Sequence, residues 1–213
     1  VITYAFKLKD TDGDGVGDAT DLDDDNDGVP DATEAASVVY QDIPLTSLTY
    51  NGSITETRTV NSITVSSTPG WRSSFSDQAL KLPIHLEYRT NTTGGEAMIG
   101  FVPVNGVRNA ADWNESPTSS YKFFHNGGNY WGKFPDPWNP NQTAYTANTL
   151  MEIDIDELGQ FTAKSNGVVV FSRMVPITDY FFTVSANGVG RPFTNVKLQD
   201  GNQLLIINPR DTD

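Results

Sequence analysis

The sequence predicts an all-β protein, two antiparallel sheets packed face to face as a β-sandwich, preceded by a short segment of different chemistry. Three observations predict it. From about residue 41 onward, apolar and polar residues alternate in short runs, the period-2 pattern of strands with one buried face. About a dozen such runs are separated by Gly-, Asn- and Pro-rich turns, which suits a sandwich. No segment beyond residue 40 has a helical period.

Taken in order, residues 1–9 (VITYAFKLK) read as a strand, either the last of a preceding module or an edge strand of this one. Residues 32–39 read as a helical turn that returns the chain to the main body. Further on, Leu82, Ile84, Leu86 and Tyr88 alternate with Lys81, His85, Glu87 and Arg89, so His85 falls on the polar face. Residues 91–95 (NTTGG) form a turn and 97–104 an apolar strand. In 150–156, Ile153 and Ile155 point inward while Glu152, Asp154 and Asp156 point outward. Residues 160–164 and 168–174 form a hairpin across Ser165-Asn166-Gly167, where Asn-Gly suits a tight turn with positive φ. Strands at 180–186, 193–198 and 204–208 complete the set.

Between the first strand and the body lies DTDGDGVGDATDLDDDNDGVPDATE, residues 10–34, with 11 acidic and no basic residues. It is a repeat. Asp10, Asp12, Asp14, Gly15, Asp18 and Asp21 return 13 residues later as Asp23, Asp25, Asp27, Gly28, Asp31 and Glu34. Oxygen ligands at positions 1, 3, 5, 9 and 12, Gly at 6 and a backbone carbonyl at 7 (Val16, then Val29) are what a loop needs to wrap calcium. The second copy ends in a Glu that chelates with both oxygens; Asp21 is shorter. Two calcium ions are expected, supplying most of the folding free energy of loops whose carboxylates otherwise repel. The alternative is a solvated acidic linker. Chance does not readily place Gly at the sixth position twice in one register.

The charge of −13 over 213 residues sits mostly there, leaving −2 on the remainder. A body so nearly neutral offers no basic footprint for nucleic acid. There is no cysteine, hence no disulfide or thiolate chemistry, and no apolar run long enough to enter a membrane. Calcium loops in a Cys-free chain suit the outside of a bacterial cell. Asp211-Thr212-Asp213 repeats Asp10-Thr11-Asp12 at an offset of 201 residues, the expected unit length of a tandem array. The expected organisation is a strand at 1–9, tandem calcium loops at 10–40, a sandwich at 41–210 and the next loop beginning at 211–213.

Residues 113–145 hold nine of the 23 aromatic residues and three of the four tryptophans, interleaved with Asn, Gly and Pro. The expected structure is a long binding loop, in which flat rings stack on a pyranose while carboxamides bond its hydroxyls. The candidate ligand residues are Trp113, His125, Asn126, Tyr130, Trp131 and Trp138. The partner is a glycan or peptide on another surface. The competing reading is core, with Phe123 or Phe124 pointing inward. Asp112 or Asp136 is a candidate ligand for a third calcium, without a supporting spacing.

Ile99-Gly100-Phe101, the hairpin at Asn166-Gly167, the run FFTVSA at 181–186 and Thr194-Asn195-Val196 resemble concanavalin A-like and SPRY-like lectin sandwiches, modules of large bacterial surface proteins. This resemblance spans residues 45–198 and implies a concanavalin-like jelly roll. The acidic stretch resembles, more specifically, thrombospondin type 3 calcium repeats, which connect modules in extracellular proteins. Together they imply a calcium-stabilised, adhesin-like extracellular module beside neighbouring modules of its own chain, or else a spacer that binds nothing. Glu152-Ile153-Asp154-Ile155-Asp156-Glu157 is similar to the catalytic strand of family 16 glycoside hydrolases. That resemblance implies a retaining pair of carboxylates about 5–5.5 Å apart. A regular strand puts Glu152 and Glu157 on opposite faces, and only about 55 residues follow. The chain is therefore expected not to be an enzyme.

Overall fold

The computed structural model describes residues 37–68, 70–106, 120–133 and 143–207. The chain divides into two units. One comprises Val1–Val39 with Leu204–Asp213. There Ser37–Tyr40 (β1) and Leu204–Ile207 (β16) form a two-stranded sheet. Residues 37–39, expected in a helical turn, are therefore in a strand, as the β-branched Val38 and Val39 favour. The expected calcium loops and the strand at 1–9 lie outside the described residues.

The other unit, Tyr40–Gln203, is the sandwich. Its first strands are Tyr50–Gly52 (β2), Thr55–Arg58 (β3), Ile63–Ser66 (β4), Trp71–Leu80 (β5), Ile84–Thr90 (β6) and Glu96–Pro103 (β7). Tyr121–Asn126 (β8), Asn129–Lys133 (β9) and Thr143–Ala144 (β10) follow. Then come Leu150–Ile155 (β11), Gln160–Ser165 (β12), Val168–Met174 (β13), Tyr180–Asn187 (β14) and Arg191–Asp200 (β15). They build two seven-stranded antiparallel sheets, ordered β10-β9-β8-β7-β14-β5-β2 and β13-β12-β11-β6-β15-β4-β3.

The core lies between the sheets, filled from alternate positions. β6 buries Ile84, Leu86 and Tyr88, β11 buries Met151, Ile153 and Ile155, and β14 buries Tyr180, Phe182, Val184 and Ala186. These are the positions that alternation assigns to the inner face. The β12–β13 hairpin turns at Asn166 (φ 49°) and Gly167 (φ 76°), the positive-φ pair that its sequence demands. β5 has no such signature. Its register against β14 shifts between Phe181 and Thr183. There the Ser76 hydroxyl accepts the Phe182 N–H (3.0 Å) and donates to the Gln78 carbonyl (2.8 Å). A polar side chain thus completes the ladder where the backbone register slips.

The aromatic stretch is not one long loop. Within it β8 and β9 form a hairpin across Gly127-Gly128, and β10 adds to the sheet edge. Aromatic residues on both faces of β8 hide its alternation. Phe123 is fully buried and Phe124 half-buried.

Candidate functional site

β7, β8 and β14, the centre of the first sheet, are buried on both faces. Ala97, Ile99 and Phe101 face the core, so Glu96, Met98, Gly100 and Val102 point the other way. Cross-strand register then arranges the outer face in rows. At one end Asn187 of β14 pairs with both Glu96 and Trp71. Asn126 lies one residue beyond the His125–Ala97 pair, beside Glu96. Both oxygens of Glu96 are held: Asn126 Nδ2 donates to Oε1 (2.9 Å) and Asn187 Nδ2 to Oε2 (2.8 Å). In the next row Met98 pairs with Phe124 and Ser185, and Ser185 with Ser73. The Trp71 and Phe124 rings meet edge to face, centroids 5.5 Å apart. Four strands therefore assemble one carboxylate, two carboxamides and a pair of aromatic rings.

Beneath that end the face holds buried polar groups. The Ser73 and Ser185 hydroxyls are bonded at 2.8 Å, and Lys122 Nζ, fully buried, donates to Ser185 Oγ (3.1 Å). Gly100, beside Lys122 in the register, has φ 154°, and a Cβ there would run into the Tyr121 carbonyl.

The loops that lead into this row are tied down by Arg191, also fully buried. Its Nε donates to Gly95 O (2.7 Å), and its Nη1 to Asn91 O (2.6 Å) and Tyr145 Oη (2.9 Å). Its Nη2 reaches Gly94 O (3.3 Å) and Gly127 O (3.4 Å). Gly94 and Gly95 immediately precede Glu96, and Gly127 follows Asn126. One planar guanidinium, with five N–H donors in a fixed fork, thus fixes both strand ends that carry the row.

The ligand residues expected from sequence separate. Asn126 is exposed and belongs to the row. His125 and Tyr130 are interior, at 0% and 4% exposure, and present nothing to a ligand in this fold. His125 shares the strand parity of Tyr121 and Phe123, so alternation turns it to the core. Its Nε2 is bonded to the Tyr88 hydroxyl (2.8 Å). Burial, and then the Arg191 charge, push its pKa down to about 3, so the ring is neutral. Tyr130 packs edge to face on Phe123 at 5.4 Å. Trp131 lies in β9 opposite Phe124. Trp113 and Trp138 fall outside the described residues, as do Asp112, Asp136 and every expected calcium ligand: Asp10, Asp12, Asp14, Val16, Asp18, Asp21, Asp23, Asp25, Asp27, Val29, Asp31 and Glu34. Among the described residues no cluster of His, Cys, Asp and Glu is placed to hold a metal. Trp71, Glu96 and Asn187 escaped the sequence reading, because no local pattern reports which residues register brings side by side.

The outer face of the second sheet is charged and internally satisfied. His85 Nδ1 is bonded to Asp154 Oδ1 (2.6 Å), Lys164 donates to Asp154 Oδ2 (2.7 Å), and Lys197 pairs with Glu87 (3.2 Å). The hydrogen bond to Asp154 raises the His85 pKa against the opposing effect of burial. Burial pushes Asp154 up, but the bonds from His85 and Lys164 outweigh it and hold the carboxyl below its usual range. His85 and Asp154 flank a cleft of about 260 Å³, lined also by Tyr40, Pro83, Ile155 and Gln199. Glu152 lies 4.0 Å from Lys164 on this face, and Glu157 is exposed in the turn after β11.

No protein-family model matches the chain, and no curated protein does. Solved structures do. The carbohydrate recognition domain of Emp47p superposes with a TM-score of 0.50 at 14% identity, covering 79% of this chain and 96% of that one. A Bacillus subtilis protein of unknown function with a galectin-like fold gives 0.49 at 10% identity, covering 79% and 100%. The exoplasmic/lumenal domain of VIP36, bound to Ca2+ and Man3GlcNAc, gives 0.48 at 11% identity, covering 82% and 90%. The sandwich is thus of the lectin-like type. At these identities the likeness concerns the fold.

Proposed function

We propose that the chain is a carbohydrate-binding module of an extracellular, adhesin-like protein, with tandem calcium loops of the thrombospondin type 3 kind stiffening its N-terminal side. The observation that carries the glycan reading is the row Asn126–Glu96–Asn187, with Trp71 and Phe124 beside it. A carboxamide has two N–H donors and an acceptor oxygen. Each Asn, after serving Glu96, retains groups for a sugar hydroxyl. Glu96 is held in place by those same bonds, so its remaining lone pairs face a ligand without loss of rotamer entropy. The half-buried Trp71 beside the row is the kind of aromatic ring against which a pyranose packs. The lectin-like fold is in keeping with this, since the Emp47p domain is a carbohydrate recognition domain.

Calcium enters through the sequence alone. Residues 10–34 hold the donor set and spacing of two loops, and the metal would neutralise their 11 carboxylates. A glycan array probed in calcium and in chelator tests both halves. Binding that falls at least ten-fold in Glu96→Gln and Trp71→Ala supports the site. Silence under both conditions points to a spacer. A melting temperature unchanged by chelator would remove the calcium loops from the account.

A further inference from the structure

The row at the end of the first sheet does not stop at Asn126. In the β8–β9 hairpin Asn126 pairs with Asn129, and β10 sets Ala144 opposite Asn129. The neighbouring pair His125–Tyr130 is buried in the core, so alternation turns Asn126, Asn129 and Ala144 to the outer face that carries Glu96 and Asn187. Five adjacent strands, β10-β9-β8-β7-β14, therefore place Ala144, Asn129, Asn126, Glu96 and Asn187 in one line across the sheet. Neighbouring strands lie about 4.8 Å apart, so the line runs about 19 Å. Asn126 and Ala144 are exposed, and Asn129 is half-exposed. Asn129 differs from the other two carboxamides. They donate to Glu96, whereas its side chain has no hydrogen-bond partner among the described residues. Both its N–H donors and its acceptor oxygen remain for a ligand. At its far end the line meets a recess of about 290 Å³, which Ala144 lines together with Tyr145, Thr146, Thr149, Ser165 and Asn166, none of them charged.

We infer that this line is a set of subsites for a linear, uncharged oligosaccharide lying across the strands, with Asn129 as a contact beyond the first sugar unit. The inference rests on the glycan reading of the row and adds the direction and length of the ligand. A single unit that meets Asn187 and Glu96 leaves Asn129 and Ala144 unfilled, two and three strands away from Glu96. A chain at right angles to the strands meets a carboxamide on each of β14, β8 and β9. Carboxamides both donate and accept, as sugar hydroxyls do. The line holds no Lys or Arg to pair with an acidic sugar, and Glu96 repels one; the recess beyond Ala144 is neutral. Hydroxyls added along a row already fixed by the sheet gain affinity without ordering the protein.

An array of neutral linear gluco- and manno-oligosaccharides, graded from a single unit upward, tests this on the full chain, with calorimetry on the series that binds. Affinity should rise at least ten-fold from the shortest bound member to the length that fills the line, and then level. Asn129→Ala, and separately Ala144→Arg, which obstructs the line at an exposed edge position, should each remove most of that gain. Both should leave the shortest member's affinity and the melting temperature unchanged. Binding that does not depend on chain length overturns the inference while the glycan reading of Glu96 and its neighbours stands. So do variants that keep the full gain, or that weaken every length equally. Silence across the whole array removes the glycan reading and this inference with it.

Discussion

The outer faces of the two sheets differ in how they hold their polar groups. On the second sheet, charges lie half-exposed and satisfy one another: His85 with Asp154, Lys164 with Asp154, Lys197 with Glu87. Such pairs in partial contact with solvent contribute little each. On the first sheet, Ser73, Lys122 and Ser185 sit among aromatic and apolar neighbours and are withdrawn from solvent. There each hydrogen bond is made in a low dielectric, and geometry rather than charge count decides what a ligand meets. The difference teaches that the charged face is a solvated surface, whereas the face that carries the proposed site holds its polar groups away from water.

The largest effect that would break this contrast is at Arg191. Replacing it with Met removes the guanidinium from the carbonyls of Gly94 and Gly95 and leaves those of Asn91 and Gly127 to the Tyr145 hydroxyl. We expect a loss of about 3 kcal/mol, read from the denaturant midpoint, since hydrogen bonds to a buried charge are among the strong ones. A loss below about 0.5 kcal/mol would mean that the loops around the row do not depend on it.

The two histidines sharpen the comparison through pH. His125 titrates near 3 when folded and near 6.5 when unfolded, so between those values the unfolded state takes up the proton. Stability is complete above about pH 6.5 and falls below it by about 1.4 kcal/mol per pH unit from this residue. His125→Gln should flatten that acid limb in a series of urea melts; an unaltered limb would mean that the ring is not buried as described. His85 behaves oppositely. Its raised pKa contributes stability that is complete below about 6.5 and is lost as pH rises through the folded value. Being partly exposed, it should account for less than about 1 kcal/mol between pH 6 and 8, and His85→Asn should abolish that small decline.

Most of the sandwich was legible where a strand has one wet face. In β6 and β11 the polar residues of one sheet surface alternate with the apolar residues of the core, and Asn166-Gly167 announces its turn. β5 was not legible, because Arg72, Ser74 and Ser76 stand at alternate positions where an ordinary strand would be apolar. Of the candidates in the aromatic stretch, Asn126 is exposed whereas His125 and Tyr130 are buried. Once Phe123 is inward, strand parity commits His125 to the core and leaves Asn126 at the end of the outer face. The rest of the row, Glu96, Asn187 and Trp71, comes from strands far apart in the chain, and only register reveals it.

The most direct test follows the side-chain amide resonances of Asn126 and Asn187 by NMR while a glycan that binds the chain is titrated in. Both pairs of NH2 signals should shift together and saturate with the binding curve, with Trp71 indole N–H moving alongside them. Saturation of binding with all three signals unmoved would place the ligand elsewhere and contradict the account.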